Sequence, residues 1–211
     1  NYPTGLSMGT PSSTVKQAVK EVWGEALYAG GRLMDVFYFS ISAGRTNEPQ
    51  EVWGSSVAGY GSVDSPWDEN VSSAFQRSVS ISKETVIDRV WEYLGIDLSE
   101  VPVEDWFTVE SYTSGGYNDE MTVGGYDTVQ KSGSSAFRTG ATITGRILRE
   151  NVLNLRSACF TWEESGNHIV FTTKGYGHGV GMSQWGAIEM AKQGYSYVEI
   201  LEYYYPGASV K

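Results

Sequence analysis

Gly175-Tyr176-Gly177-His178-Gly179-Val180-Gly181-Met182-Ser183-Gln184-Trp185-Gly186-Ala187 says more about the chain than any other stretch of its sequence. Four glycines at alternating positions clear one face of an extended segment, so backbone or ligand can approach closely there. One imidazole, His178, stands in the gap. Beyond it Ser183 is placed to cap a helix whose apolar positions Ala187, Ile188 and Ala191 keep helical spacing, with Gly194 as its stop. The pattern predicts a glycine-lined strand that carries His178, Ser183, Gln184 and Trp185 to a helix N-terminus. Free N–H groups at such a terminus favour anionic or strongly polar ligand atoms. A nucleotide loop is excluded: counted from Gly175 or Gly177, the third glycine of the dinucleotide fingerprint is replaced by Val180 or Met182, and no Gly-Lys-Ser/Thr follows.

A chain of 211 residues is long enough to bury a real core, and residues 1–211 read as one domain. Aromatic residues at 13% and 25 glycines, with few long apolar runs, point to short strands and many turns beside a few helices. A formal charge of −10 argues against nucleic acid and anionic lipid as main partners, because phosphates would be repelled, and leaves neutral or zwitterionic polymers acceptable. The single cysteine, Cys159, reads as a small buried side chain and permits no disulfide within the chain. There is no signal peptide or apolar run of transmembrane length, and the first residue is Asn1; a mature or trimmed product, separated from an upstream anchor, is the expectation.

Val15, Ala18, Val19, Val22 and Trp23 recur on one side of a predicted first helix that opens at Ser12 to Thr14 and stops at Gly24. Gly30-Gly31 then predicts a hairpin with arms Glu25 to Tyr28 and Arg32 to Ser42; within the second arm Leu33 to Phe39 reads as buried on both faces for much of its length, and the strand runs into the polar loop Ser42-Ala43-Gly44-Arg45-Thr46. A second helix spans Ser82 to Leu94, burying Val86, Val90, Trp91 and Leu94, with Gly95 behind it. From Thr108 to Thr173 short strands alternate with Gly-rich turns, which suggests a small barrel-like part or a strongly bent sheet. Ser196 and Glu199 form a capping box for a last short helix. The fold class is therefore α+β: short, twisted antiparallel strands and three to four helices.

Two histidines and no paired cysteines offer no metal-ligand spacing, so neither a metal nor another cofactor is expected. His168 follows a Ser-Gly-Asn turn and reads as the start of a strand. His178 reads two ways, as an accessible imidazole or as a buried one hydrogen-bonded to backbone. Ser183 lacks a Gly-x-Ser-x-Gly elbow, and capping already accounts for it. Glycan cleavage requires a carboxyl group kept protonated in a poorly solvated cleft; Glu51 near Trp53, and Asp68 and Glu69 after Trp67, are the acids with an indole beside them. Trp53, Trp67, Tyr176 and Trp185 lie beside Gly and Ser loops, where aromatic faces can meet sugar rings.

Gly175 to Gly207 resembles the C-terminal signature of the stage II sporulation protein D (SpoIID) and amidase-enhancer family. The resemblance runs through Gly-His-Gly-Val-Gly-Met-Ser-Gln-Trp-Gly-Ala, Met190-Ala191, Gly194-Tyr195 and Glu199-Ile200-Leu201 to Tyr204-Tyr205-Pro206-Gly207. Further blocks follow in family order: Phe39 to Thr46, Glu51 to Gly54, Val63 to Asp68, Ser132-Gly133 with Phe137-Arg138, and Leu155 to Ser157 with Phe160. The resemblance implies a bacterial, extracytoplasmic protein directed at peptidoglycan, held at the cell wall or membrane through a segment absent from this chain. SpoIID-like members are lytic transglycosylases of engulfment. One carboxylic acid protonates the glycosidic oxygen, then serves as base while the sugar's C6 hydroxyl closes an anhydro ring, with no cofactor needed.

The family's proposed acid belongs to an upstream Glu-Met-Pro element that this sequence does not contain; Glu120-Met121-Thr122 falls in the wrong block. The chain as given is therefore expected to be weak or inert as an enzyme, with its catalytic residue unknown. Some members bind zinc through a histidine where Phe39 stands, and Phe39 cannot ligate. The resemblance implies glycan-strand binding by Arg45, Trp53, Trp67, Tyr176, His178, Ser183, Gln184 and Trp185. A cell-wall amidase and other engulfment proteins are the implied protein partners, and the alternative is a non-catalytic modifier that stimulates an amidase.

Overall fold

A computed structural model describes residues 11–71, 75–131 and 138–211; the expected Ser132-Gly133 and Phe137 block lies outside them. In chain order the elements are α1 (Ser13–Glu21), β1 (Leu27–Ala29), β2 (Arg32–Leu33), β3 (Tyr38–Phe39), α2 (Pro49–Trp53), β4 (Gln76–Ser82) and α3 (Lys83–Leu94). They continue with β5 (Phe107–Val109), β6 (Met121–Val123), α4 (Gly145–Ile147), β7 (Phe160–Ser165), β8 (His168–Lys174), β9 (Met182–Ser183), α5 (Gln184–Lys192), α6 (Tyr197–Tyr204) and β10 (Ala208–Val210). The four helices of eight residues or more are those read from the sequence, and α2 and α4 are short additions. The class is α+β.

Local chemistry sets most of the helix ends. Ser12, Ser82, Ser183 and Ser196 each accept a backbone N–H from the first turn of the helix that follows, and Ser196 with Glu199 completes the capping box. Gly95 ends α3 in the left-handed conformation, with φ of 69°. Two side chains escape the one-sided pattern. Trp23 lies beyond the end of α1 and is 82% exposed, and Trp91 is 56% exposed on α3 while Val86, Val90 and Leu94 are buried. α1 buries none of its residues, so its apolar stripe finds no core to face.

The strands form four small sheets, ordered β10-β1-β2, β3-β9, β4-β8-β7 and β5-β6, with no closed barrel among the described residues. The β3-β9 pair is parallel, whereas the pairs within the other three sheets are antiparallel, as expected. Closure fails because β5 and β6 pair over only three residues and turn away through Gly124 and Gly125, while β7 ends its sheet as an edge. The Gly30-Gly31 hairpin is present, but its second arm is broken: Leu33 is 69% exposed, and Tyr60 holds the chain between Asp35 and Phe37 by accepting from Phe37 N–H and donating to Asp35 C=O.

Two apolar clusters result. The larger joins α3 to the β4-β8-β7 sheet through Leu94, Leu98, Phe107, Phe160 and Phe171; the smaller gathers Leu27, Met34, Met190, Ile200, Tyr204 and Tyr205. The glycine run is not the extended strand its alternation suggests. Gly175, Gly177, Gly179 and Gly181 all have positive φ, and before β9 the segment is held to neighbouring segments by isolated bridges, Tyr176 with Ile41, Gly177 with Ser157 and Val180 with Asn47. What comes close is the protein itself. A Cβ on Gly181 would stand 2.1 Å from the Phe37 carbonyl oxygen, and one on Gly179 would meet Asn47 and the buried Tyr117 ring.

Beneath this segment lies a buried carboxylate. Asp68, fully buried in the 3-10 turn Pro66–Asn70, accepts from Ser42 N–H (3.2 Å), Ser42 Oγ (2.6 Å), Ser65 Oγ (2.8 Å) and Ser183 Oγ (2.7 Å). Ser65 Oγ in turn meets Tyr204 Oη at 2.6 Å.

Gly181→Ala is expected to destabilise the protein by about 3 kcal/mol, from left-handed strain plus overpacking. Gly194→Ala, with open space around its Cβ, should lose only about 1 kcal/mol. Urea unfolding midpoints compare the two. Asp68→Asn puts an amide N–H₂ among hydroxyl donors and should lose about 3–5 kcal/mol or fail to fold, read by circular dichroism and the same unfolding curves.

Candidate functional site

A cleft of ≈ 590 Å³ opens beside the glycine run. Its walls come from α2 and the loop before it (Asn47, Glu51, Val52), the turn Thr113 to Asp119, α4 with the turn that follows (Arg146, Arg149, Glu150), and Gly177 with His178. Leu148–Val152 is a π-turn, closed by the Leu153 N–H donating to the Leu148 carbonyl at 2.8 Å. That wider turn follows α4 directly and carries Arg149 and Glu150 in the cleft wall.

Charge in the cleft is arranged around Glu150. It accepts from Arg146 Nε at 3.1 Å and from Arg149 Nη1 at 3.0 Å, leaving the trio with one net positive charge. Arg146 also donates to the Val52 carbonyl at 2.9 Å, and Arg149 Nε to the Arg156 carbonyl at 3.1 Å. Burial pushes the Arg149 guanidinium below its ordinary value, with Glu150 opposing. Glu51 is committed on both oxygens: Oε1 accepts the Ser114 N–H at 2.6 Å, and Oε2 accepts from Ser114 Oγ and the Glu48 N–H, both at 2.8 Å.

His178 lines the cleft with its ring packed between Trp53 and Phe39, at centroid distances of 5.2 and 5.5 Å. Its Nδ1 accepts the Val180 N–H at 3.1 Å, and its other hydrogen bond goes to the Tyr38 backbone. Desolvation first, then the nearby Arg149 charge, pushes its pKa down to about 4, so the ring is neutral at pH 7 with its proton on Nε2. The accessible and the buried readings of this residue meet here: the ring forms part of a wall, and both nitrogens are already bonded.

The remaining sequence-derived residues are spread over the surface and core. Trp53 supports His178 from α2. Ser183 is fully buried on Asp68 and caps α5, so the helix N-terminus expected to receive ligand is occupied by protein: Gly186 N–H donates to Ser183 Oγ and Trp185 N–H to the Ser40 carbonyl. Gln184 and Trp185 are exposed. Tyr176 is exposed beneath the Arg156 guanidinium, 5.1 Å from its ring centroid. Arg45 is tied to Asp64 at 2.7 Å and to Ser62. Trp67 donates to Gln193 and stacks edge-on with Tyr195 and Tyr203, apart from the cleft lining. Glu69 is exposed and faces Gly44.

Sequence reading missed Asn47, Tyr117, Arg146, Arg149 and Glu150. Only the Arg-x-x-Arg-Glu spacing at 146–150 could have pointed to them, since Asn47 and Tyr117 owe their place to contacts more than sixty residues apart. Among the described residues no three His, Cys, Asp or Glu side chains converge on a metal position. The zinc that some SpoIID-like members hold does not fit this donor set, because Phe39 is an apolar side chain against the His178 ring and both His178 nitrogens are bonded.

No family model matches the chain. It is 31% identical to stage II sporulation protein D of Bacillus subtilis over 206 residues, covering 98% of the chain and 53% of that protein. It is 33% identical to stage II sporulation protein D of Bacillus amyloliquefaciens, over 93% of the chain and 50% of that protein. The amidase enhancer of Bacillus subtilis is 24% identical over 94% of the chain and 33% of its own length. The chain thus spans about half the length, or less, of these relatives. With similarity that covers nearly all of its residues, including the threaded glycine run and the cleft beside it, the chain belongs to the stage II sporulation protein D family.

Proposed function

We propose that this chain is the glycan-strand-binding part of a peptidoglycan lytic transglycosylase acting outside the cytoplasm during sporulation. The observation that carries the reading is the cleft itself, which combines amide and hydroxyl groups and two arginines with carboxylates already bonded to protein donors, beside the family's signature segment. Sugars present hydroxyl and acetamido groups, which such donors bind without strong charge on either side. Arg146, 46% exposed at its side chain, is the group best placed to reach a bound strand.

No described carboxylate is assigned as the acid. Asp68 is sealed beneath Ser42, Ser65 and Ser183, Glu51 is fully bonded, and Glu150 is paired with two arginines. The acid is assigned instead to the upstream Glu-Met-Pro element of SpoIID-like proteins. The cleft residues would then orient the strand while that acid protonates the glycosidic oxygen and returns as base for closure of the anhydro ring. Tyr176, Gln184, Trp185, Arg45 and Trp67 would contact more distant parts of the wall polymer, and Trp53, His178 and Ser183 hold the cleft in shape. Similarity to the amidase enhancer supports a second reading, a non-catalytic modifier of a cell-wall amidase.

Peptide-free glycan strands should bind this chain, and Arg146→Ala should weaken that binding about tenfold, measured by fluorescence anisotropy. Anhydro-sugar ends should appear in mass spectra only when the chain is joined to a segment carrying the Glu-Met-Pro element. Strand binding with no cleavage in the joined form, plus faster amidase turnover, would establish the modifier instead. His178 adds a pH signature. Its folded-state pKa lies below the unfolded value of about 6.5, so the stability it contributes is present above that pH and is lost as pH falls towards 4. The stability gap between wild type and His178→Gln, which cannot titrate, should therefore shrink by roughly 2 kcal/mol between pH 7 and 4.5 in urea unfolding.

A further inference from the structure

The sheet ordered β4-β8-β7 has an edge on either side, and the chain treats the two differently. β7 carries exposed Glu163 and Glu164, the kind of charge by which an edge strand wards off further pairing. β4 runs Gln76-Arg77-Ser78-Val79-Ser80-Ile81-Ser82 with neither proline nor bulge, matched residue for residue to β8. Two hydrogen bonds fix which of its backbone groups are already spent. Gly175 N–H donates to the Phe75 carbonyl and Lys83 N–H to the Asn167 carbonyl, so the odd-numbered residues of β4 exchange bonds with β8. The N–H and C=O of Gln76, Ser78 and Ser80 therefore point away from the sheet, and no other strand among the described residues pairs with them.

Side chains leave that edge open. Val79 and Ile81 turn towards the larger apolar cluster, whereas Gln76, Ser78 and Ser80 are exposed, and Ser78 Oγ meets Thr172 Oγ1 at 2.8 Å. The edge is self-complementary, and one antiparallel register satisfies it in full. With a two-fold axis through Ser78, Gln76 exchanges bonds with Ser80 of a second copy and Ser78 with its own counterpart, so every outward N–H and C=O of these residues finds a partner. The one charged residue of the strand, Arg77, then falls opposite Val79 of the second copy, where its aliphatic stem can cover the valine. An axis through Arg77 would instead set two guanidiniums face to face. One through Val79 would send Gln76 to Ser82, whose hydroxyl already caps α3.

We propose that β4 is the seam of a two-fold dimer, in which two copies of this chain join their β4-β8-β7 sheets into one continuous sheet. The occupant is a second copy because the strand itself supplies both halves of the match, in hydrogen bonds and in charge. A formal charge of −10 on each copy opposes association at low salt, and β4 adds no acidic residue to that opposition. Each copy carries one cleft, so the dimer is bivalent for any polymer the clefts hold.

Sedimentation equilibrium of the 211-residue chain, from about 1 μM to about 1 mM at physiological salt, should show monomer passing into dimer. Ser78→Lys and Ser78→Asp each set like charges opposite one another across the axis and should weaken the dimer by about tenfold or more, while an equimolar mixture of the two should recover it as a heterodimer. Both variants should keep the circular dichroism and urea midpoint of wild type, because Ser78 is exposed and gives β8 no backbone bond. Hydrogen exchange over residues 75–82 should slow with rising concentration in wild type and not in either variant alone. A chain that stays monomeric throughout the range overturns the proposal. So does a dimer that both variants leave intact, or one that their mixture fails to restore. Protection of residues 75–82 in a monomer bound to a different polypeptide would overturn it in favour of a foreign strand.

Discussion

A buried carboxylate with no ion-pair partner among the described residues organises this molecule. Asp68 is tolerable in the interior only because hydroxyl and backbone donors replace the water it has lost, and those donors come from three residues, Ser42, Ser65 and Ser183. Ser42 follows the β3 strand, Ser65 opens the turn that holds Asp68 itself, and Ser183 begins α5. Through Ser65 the network reaches Tyr204 on α6, whose own phenol is pushed up by burial. Hydrogen bonds to a charged group contribute about 1.5–3 kcal/mol each, so this one point ties segments separated by as many as 139 positions with an energy comparable to the whole stability of a domain.

The glycine run depends on that anchor from the other side. Near its start Tyr176 bridges to Ile41 and Gly175 lies against the Ile41 and Ser42 backbone, its end delivers Ser183 to Asp68, and between them the chain must pass within contact distance of Phe37, Phe39, Asn47 and Tyr117. Positive φ at alternate residues lets the segment corrugate so closely, and no side chain larger than hydrogen fits at the approaches. Tyr117 then links this seam to the turn that walls the cleft, its hydroxyl accepting the Ala43 N–H at 3.0 Å. The cleft is thus a consequence of packing: its floor is the underside of the segment that Asp68 holds in place.

Within the cleft, compensation is nearly complete. No buried side-chain nitrogen or oxygen among the described residues lacks a hydrogen-bond partner. Glu51, Glu150 and His178 are all engaged with protein, which makes them supports for shape and potential, while the exposed half of Arg146 keeps capacity for a ligand. A binding surface built this way is stiff before ligand arrives and loses little entropy on binding.

Capping serines, the glycine stops at Gly95 and Gly30-Gly31, and the helical spacing of Val86, Val90 and Leu94 were legible because their causes lie within a few residues of one another. The strand start at His168 was legible for the same reason, as was the Ser183 cap within the signature from Gly175 to Ala187. The alternation of its glycines nevertheless described an open strand, whereas in the folded segment protein fills the space beside Gly175, Gly177, Gly179 and Gly181, and the Leu33 to Phe39 run, apolar enough for a buried strand, is interrupted by the Tyr60 clamp. Asp68 beside Trp67 looked like an acid in a dry cleft because dryness is visible in neighbours, while the serines that saturate it stand up to 115 positions away. The sequence by itself determined the local elements, their ends and the family; only the tertiary structure decided which polar groups are consumed in holding the fold and which remain for a ligand, because hydrogen-bond capacity is spent between residues that no local pattern relates.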